Sequence, residues 1–459
     1  MANQITSRAG GSSFIEKIDV VSNKDQSKNV SVANGTINLM YYESILQDSV
    51  RATVTFVDTG NAIDGKTVIE GLPMVGQEKV SLKFTDNNKK TLDLTLYVNK
   101  VTPLVNETNK SMVKLDLSSK EYIMNEKVRL NTRFDGRISD HIKKILTDQN
   151  YLGTEKKVDI ESTSNNYNFI GNNRKPYYAM NWLSKKAVPD LPDAKGNSAG
   201  YLFFETSEGF KFKSIDSFFA QEKKKSIIFN QTPDSGGANI PAGYDIKALD
   251  YSKDNSVDVQ EKLKMGAFST RTVLFDPFNC YYEVITPNAK EKEASLKLGG
   301  KELPVLNPEF NKEGANKEFT RTQYVLLDKG TLPAGDTKQQ IDKSTEENFD
   351  AKNILSQSTM RYNQLFTSKS EVTIPGDFSL HAGDAIFMDA PPENAKKNDE
   401  VNKQDSGLYI IADLCHYISP KETYTKLILV RDSVGRTGNH TSGKIPLWLT
   451  NIRYMGFNN

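Results

Sequence analysis

The chain has 459 residues, 37% hydrophobic and 25% charged, and its 59 Lys and Arg nearly balance 58 Asp and Glu for a formal charge of +1. Such a balance argues against a basic nucleic-acid binder or a membrane-surface protein, and a mean hydropathy of −0.54 describes a polar chain with several modest cores, about three domains by length. Cys280 and Cys415 show no metal-binding or disulfide spacing, no basic-apolar leader opens the chain, and no apolar run is long enough to span a bilayer. Two free thiols, folding in a cytoplasm and no membrane insertion are expected.

The first 128 residues read as β. In residues 51–58, Ala52, Val54 and Phe56 alternate with polar partners; Leu92, Leu94, Leu96 and Val98 do the same, as do Val113, Leu115 and Leu117. Period two means one buried and one wetted face, as in a small antiparallel barrel. Residues 129–224 change character. A helix is expected over 139–149 with Ser139 as its N-cap, a second over 176–187, and a hairpin pairs Tyr201–Phe204 with Phe210–Lys213. That segment is expected to be an inserted α+β domain.

β character returns in 225–275 and 345–435, which are expected to form a second barrel around an inserted lobe, 276–344. Val273–Phe275 and Tyr281–Ile285 read as a hairpin, but residues 286–348, rich in Lys, Glu, Gly and Asn, show no clear period and read as long and irregular. A helix is expected over 349–366. The two β regions share an order: a Gly-containing turn (Gly76, Gly383), a strand, a polar loop and two long strands. The fold class is therefore mainly β with α+β insertions, with two similar small antiparallel barrels. The last segment, 436–459, is an apolar tail with Leu447, Trp448, Leu449, Ile452, Tyr454, Met455 and Phe457. That much apolar surface needs a cover: either the tail folds back on its own barrel, or it docks on a neighbouring subunit or partner with Trp448, Tyr454 and Phe457 as candidate anchors.

One catalytic signature matches letter for letter. Gly60-Asn-Ala-Ile-Asp-Gly65-Lys66-Thr67 fits the phosphate-cradling P-loop, but Gly71 and Pro73 follow too soon for the helix that loop needs, so a surface loop is expected. His141, His381, His416 and His440 are scattered outside any ligand spacing. No nucleophile elbow or paired-carboxylate pattern stands out. No enzyme activity, cofactor or metal is expected. A cell-wall hydrolase or a receptor-binding β protein is the alternative reading.

Arg361-Tyr-Asn-Gln, then Val372-Thr-Ile-Pro-Gly376-Asp377, Ala382-Gly383-Asp384, Gly407-Leu-Tyr-Ile-Ile-Ala412 and Thr425 to Asp432 resemble a tube domain of contractile-tail baseplate hub proteins. Tyr42-Glu43-Ser44-Ile45 and Gly71-Leu-Pro-Met-Val-Gly76-Gln-Glu78 resemble the family's first tube domain, and Gly266 to Arg271 with Asp276 looks like the start of the second. The resemblance covers the β regions well and the insertions poorly, and the long lobe departs from the T-even phage hub. It implies a homotrimer whose six tube domains form a pseudo-hexameric ring in a virion tail baseplate. Such a ring would adapt the six-fold tail tube to a three-fold spike, here a separate protein, with baseplate wedge proteins as neighbours and DNA passing only in transit. Type VI secretion spike proteins share these barrels.

Overall fold

The computed structural model describes residues 13–437 apart from 108–109, 192–194, 230–242, 255–258, 278, 305–308, 310–320, 332–335, 391–401 and 403. Alternation builds the first β-unit from β1 (Phe14–Val21), β2 (Thr36–Ser44), β3 (Arg51–Asp58), β4 (Lys79–Thr85), β5 (Thr91–Glu107) and β6 (Lys110–Ser118). They lie in the order β2-β3-β6-β5-β4-β1, each antiparallel to its neighbours. Every second side chain points inward, so Ile18, Leu39, Val54, Phe56, Leu82, Phe84, Val113 and Leu115 meet in one buried core. β5 serves two partners: 91–97 pairs with β4 and 97–107 with β6, and a bulge between Val98 and Lys100 turns the strand between them. That bend curls the sheet over its core.

The second unit contains β7 (Lys225–Ile228), β8 (Asp250–Asp254), β9 (Ser368–Pro375), β10 (Ala385–Asp389), β11 (Gly407–Ile418) and β12 (Thr423–Arg431), in the order β8-β9-β12-β11-β10-β7. Replacing β2, β3, β4, β5 and β6 by β8, β9, β10, β11 and β12 reproduces the same neighbours, the same antiparallel sense and the same chain order. β11 even carries its bulge, between Ile411 and Asp413, where β5 has its own. The first strands differ, since β7 runs parallel to β10 whereas β1 is antiparallel to β4. Ile227, Val372, Ile374, Ile386, Tyr409, Leu414 and Leu427 fill the second core. The units are fused edge to edge, because β11 also pairs antiparallel with β2, Asp413 opposite Ser44 and Ile418 opposite Leu39.

Between the units lies an α+β region with α1 (Ile138–Thr147), α2 (Pro176–Ser184) and a three-stranded sheet of Val158–Ile160, Gly209–Ser214 and Tyr201–Thr206. Its core is aromatic, with Phe134 stacked on Phe169 at 4.8 Å and Trp182 edge-on to both Tyr167 and Phe169. Ser139 is not the N-cap of α1: Arg137 holds that position, and the Ser139 amide is satisfied instead by the Thr163 hydroxyl at 3.0 Å.

A second insertion corrects the expectation of an irregular lobe. Thr270–Asp276 leaves the second unit and pairs with Tyr281–Ile285 and, in parallel, with Arg321–Leu326, forming a separate three-stranded sheet. A helix, Thr337–Thr345, also lies in this stretch. α3 (Ala351–Gln364), capped by the Asp350 side chain accepting from the Asn353 amide, packs on that sheet and leads back into β9.

Candidate assembly site

The fused edges meet at a buried carboxylate. On β2 the alternation Leu39, Tyr41, Glu43 turns all three side chains the same way, which buries Glu43 to 2% exposure. Its Oε1 accepts from Tyr41 Oη at 2.9 Å and from the Ser207 amide at 2.7 Å, and its Oε2 accepts from the Ala382 amide at 2.9 Å. His381 Nδ1 lies 3.3 Å from Oε1. Burial alone would raise this carboxyl, but the His381 contact and the two amides outweigh it and hold Glu43 at about 2. One charge thus ties together the first unit, the second unit and the Tyr201–Ser214 hairpin.

Beneath it the second unit reaches into the first core. Phe378 sits edge-on to Phe84 at 5.2 Å and to His416 at 4.8 Å, while its amide donates to Asp86 Oδ2 at 2.8 Å. His416 stacks on Tyr41, is fully buried and contacts Thr425 Oγ1 through Nδ1 at 2.9 Å; burial pushes its pKa down to about 4. These histidines are junction residues: His381 lies in the turn before β10 and His416 is fully enclosed on β11. A further buried node, Arg361, bridges Asp216 at 2.7 Å and Asp432 at 2.8 Å, joining α3, the α+β region and the end of β12. Sequence reasoning used Arg361 only for resemblance and missed its role. The signal for Glu43 was present, an acid in phase with Leu39 and Tyr41.

The turn before β4 is repeated before β10 bond for bond. Gln77 donates to the Val98 carbonyl and Val98 donates to the Glu78 carbonyl; likewise Gly383 donates to Ile411 and Ile411 to Asp384. The Glu78 carboxylate accepts from Val75 at 2.7 Å, three residues back, and the Asp384 carboxylate accepts from His381 at 2.8 Å, also three back. The equivalent of Gly383 (φ 86°) is therefore Gln77 (φ 71°), one residue beyond the Gly76 named from sequence. A left-handed residue is required there, and Gln accepts the strain that Gly avoids.

Applying this register along the strands makes Val98 equivalent to Ile411, Val101 to Leu414, Val105 to Tyr417 and Leu39 to Tyr251. The run β8-β9-β12-β11-β2-β3-β6-β5 is continuous. Among the described residues, its outermost strands, β8 and the 98–107 part of β5, are each paired on one side only, with β9 and β6, and no strand lies beyond them. They are the equivalents of β2 and of the 411–418 part of β11, which pair with each other inside the chain. The face of this run turned away from the cores forms a groove of about 870 Å³, with Arg51, Asp116, Asp250, Glu371, Asp413 and Lys426 among its walls.

The P-loop letters fold into a loop in which several amide donors are already used. Asp58 Oδ1 accepts from the Gly60 amide at 2.9 Å and Oδ2 from the Val68 amide at 2.5 Å, so the chain's own carboxylate occupies the cradle. A helical turn does form, Val68–Gly71, capped by Thr67, contrary to the expectation that Gly71 and Pro73 forbid it; it stops at Leu72. Cys280 is exposed in the hairpin turn and Cys415 half-buried on β11. His141 is buried against Phe134 and Phe169, with Nε2 2.8 Å from the Tyr167 carbonyl. His440, Trp448, Tyr454 and Phe457 lie outside the described residues.

No family model matches this chain, and neither does any curated protein. Among solved structures it is similar to the 43 kDa tail protein of prophage MuSo2 from Shewanella oneidensis, at 10% identity and TM-score 0.49, covering 91% of this chain and 98% of that one. It is similar to a tail protein of Neisseria meningitidis at 8% identity and TM-score 0.47, covering 91% and 96%. Prophage tail protein gp18 of Listeria monocytogenes matches at 8% identity and TM-score 0.46, covering 93% and 96%. At these TM-scores the likeness assigns no role to any residue.

Proposed function

We propose that this chain is the central hub of a contractile-tail baseplate, assembled as three copies around a channel. The observation that carries the proposal is the internal junction: β11 pairs with β2, and among the described residues no strand covers the outward sides of the equivalent segments, β5 over 98–107 and β8. An unpaired edge is a template for another chain, and the second pairing needs only a neighbouring copy placed as the second unit stands to the first. With two units per chain, three copies alternate internal and intermolecular junctions around a six-unit ring. The ordered hub-like motifs in the sequence support the same reading.

In that ring the polar face of the strand run lines the channel. Arg51 and Lys426 alternate there with Asp116, Asp250, Glu371 and Asp413. Interleaved charge of both signs gives passing DNA no basic track to adhere to, which suits transit rather than binding. Spike, tail tube and wedge proteins would engage the two rims and the outer wall. Electron microscopy of the purified protein tests the reading. Ring-shaped particles with three-fold symmetry and a central channel are expected; single-chain particles alone at tens of micromolar, together with no ring after adding a tail tube or spike protein, would overturn it.

A further inference from the structure

Among the described residues, nothing covers the apolar side of the small sheet of 270–276, 281–285 and 321–326. Its inner side faces α3 and is partly polar: Gln323 donates to Thr272 Oγ1 at 2.7 Å and accepts from Thr359 of α3 at 3.2 Å, beside buried Leu274. On the outer side the register aligns Tyr282, Phe275 and Leu326 in one row and Val284, Val273 and Tyr324 in the next. Tyr324 is 81% exposed, Leu326 65% and Tyr282 64%. Single apolar side chains are ordinary on a surface, but two adjoining rows of them form a contiguous patch, which marks a contact site.

The path of the chain says what covers it. After β12 the backbone is tied to the segment that continues from this sheet: Lys301 donates to the Val434 carbonyl, Val434 donates to Glu302, and the Thr437 hydroxyl donates to the Gly299 carbonyl. That segment is fastened to the base of the sheet by the Ala289 amide on Phe268 and by the bridge between Ser269 and Asn288. The residues after Thr437 therefore depart from the same lobe that carries the open face. Their sequence is apolar, with Ile445, Leu447, Trp448, Leu449, Ile452, Tyr454, Met455 and Phe457, and its charges are Lys444 and Arg453 with no acid. The eight residue-to-residue steps from Thr437 to Ile445 span up to roughly 27 Å. A helix and one sheet, the layers to be passed, are about 20 Å thick together.

We infer that residues 445–457 of the same chain cover the Tyr282-Phe275-Leu326 and Val284-Val273-Tyr324 rows. The segment acts as a strap over the lobe, with Trp448, Tyr454 and Phe457 as its anchors, and it leaves the ring edges free. This goes beyond the hub reading and does not depend on it, since the contact lies within one chain.

The test places a photoreactive benzoyl-phenylalanine at Tyr324 or at Tyr282 in the full chain, using an equal mixture of ¹⁴N- and ¹⁵N-labelled protein, and identifies the cross-linked peptides by mass spectrometry. Cross-links from both positions to 445–457, within chains of one label, are expected, and Leu326→Asp should lower their yield at least tenfold. Mixed-label cross-links to 445–457 would place the segment on a second copy and overturn the same-chain contact. Cross-links only to other segments, or none from either position, would overturn the site itself.

Discussion

Glu43→Gln removes the charge at the meeting point of the two units while keeping the shape of the side chain. A carboxyl held at about 2 instead of 4.5 prefers its ionised form by about 3 kcal/mol, at 1.36 kcal/mol per tenfold. The amide cannot recover this. One of its two positions becomes a donor facing the donors at Ser207 or Ala382, so a buried hydrogen bond turns into a clash of like groups. The effect is local to the junction, so native-state hydrogen exchange is the suitable assay. Exchange at the Ser207 and Ala382 amides should rise roughly hundredfold at pH 7, matching about 3 kcal/mol of lost local protection. The sign with pH follows from a folded pKa lowered below the unfolded one. The stability Glu43 supplies is full above 4.5 and disappears as pH falls through 2, so variant and parent should converge in acid. A rise of less than about fivefold at pH 7, or a difference that persists unchanged at pH 2.5, would refute the reasoning.

Three further outcomes follow from the same structure. Arg361→Met strands Asp216 and Asp432 in a buried site and should cost about 3–5 kcal/mol, read as a lower urea midpoint; adding Asp216→Asn and Asp432→Asn should restore much of the loss, and no restoration would count against the ion-pair account. His416, lowered to about 4 when folded against 6.5 unfolded, costs nothing above pH 6.5; between 6.5 and 4 the unfolded chain takes the proton first, so stability should fall by about 3 kcal/mol in total, a slope that His416→Gln should remove from melting temperatures measured across that range. Lys66→Ala should leave both stability and nucleotide titrations unchanged, since Asp58 fills the loop; ATP binding by the parent that is lost in the variant, seen by calorimetry, would contradict this.

Where burial on one face imposed period two, as in Ala52, Val54 and Phe56 or Leu92 to Val98, the strands were legible in sequence. Arg321–Leu326 was not, because its outward residues Tyr324 and Leu326 are the apolar ones and Gln323 faces α3. Parallel pairing with a strand some fifty residues earlier left no hairpin turn to signal it. The repeat was visible as Gly76 against Gly383, yet its true register runs through Gln77, since a left-handed conformation leaves no mark on a residue other than Gly or Asn. Glu43 and Arg361 become nodes only through partners far along the chain, 164 and 339 residues away for Glu43 and 145 for one arm of Arg361, so spacing alone could not link them.

In the proposed ring, the register equivalence would set Val105 of one chain opposite Ser252 of the next, just as Tyr417 stands opposite Met40 within the chain. Val105→Cys combined with Ser252→Cys, in a background with Cys280 and Cys415 replaced, therefore tests the ring most directly, with Tyr417→Cys plus Met40→Cys as the intrachain control. Mild oxidation followed by non-reducing electrophoresis should give covalent dimers and trimers for the first pair and monomers for the control and for each single variant. Monomers alone from the first pair, at tens of micromolar and with the control disulfide formed, would contradict closure of three chains through these edges.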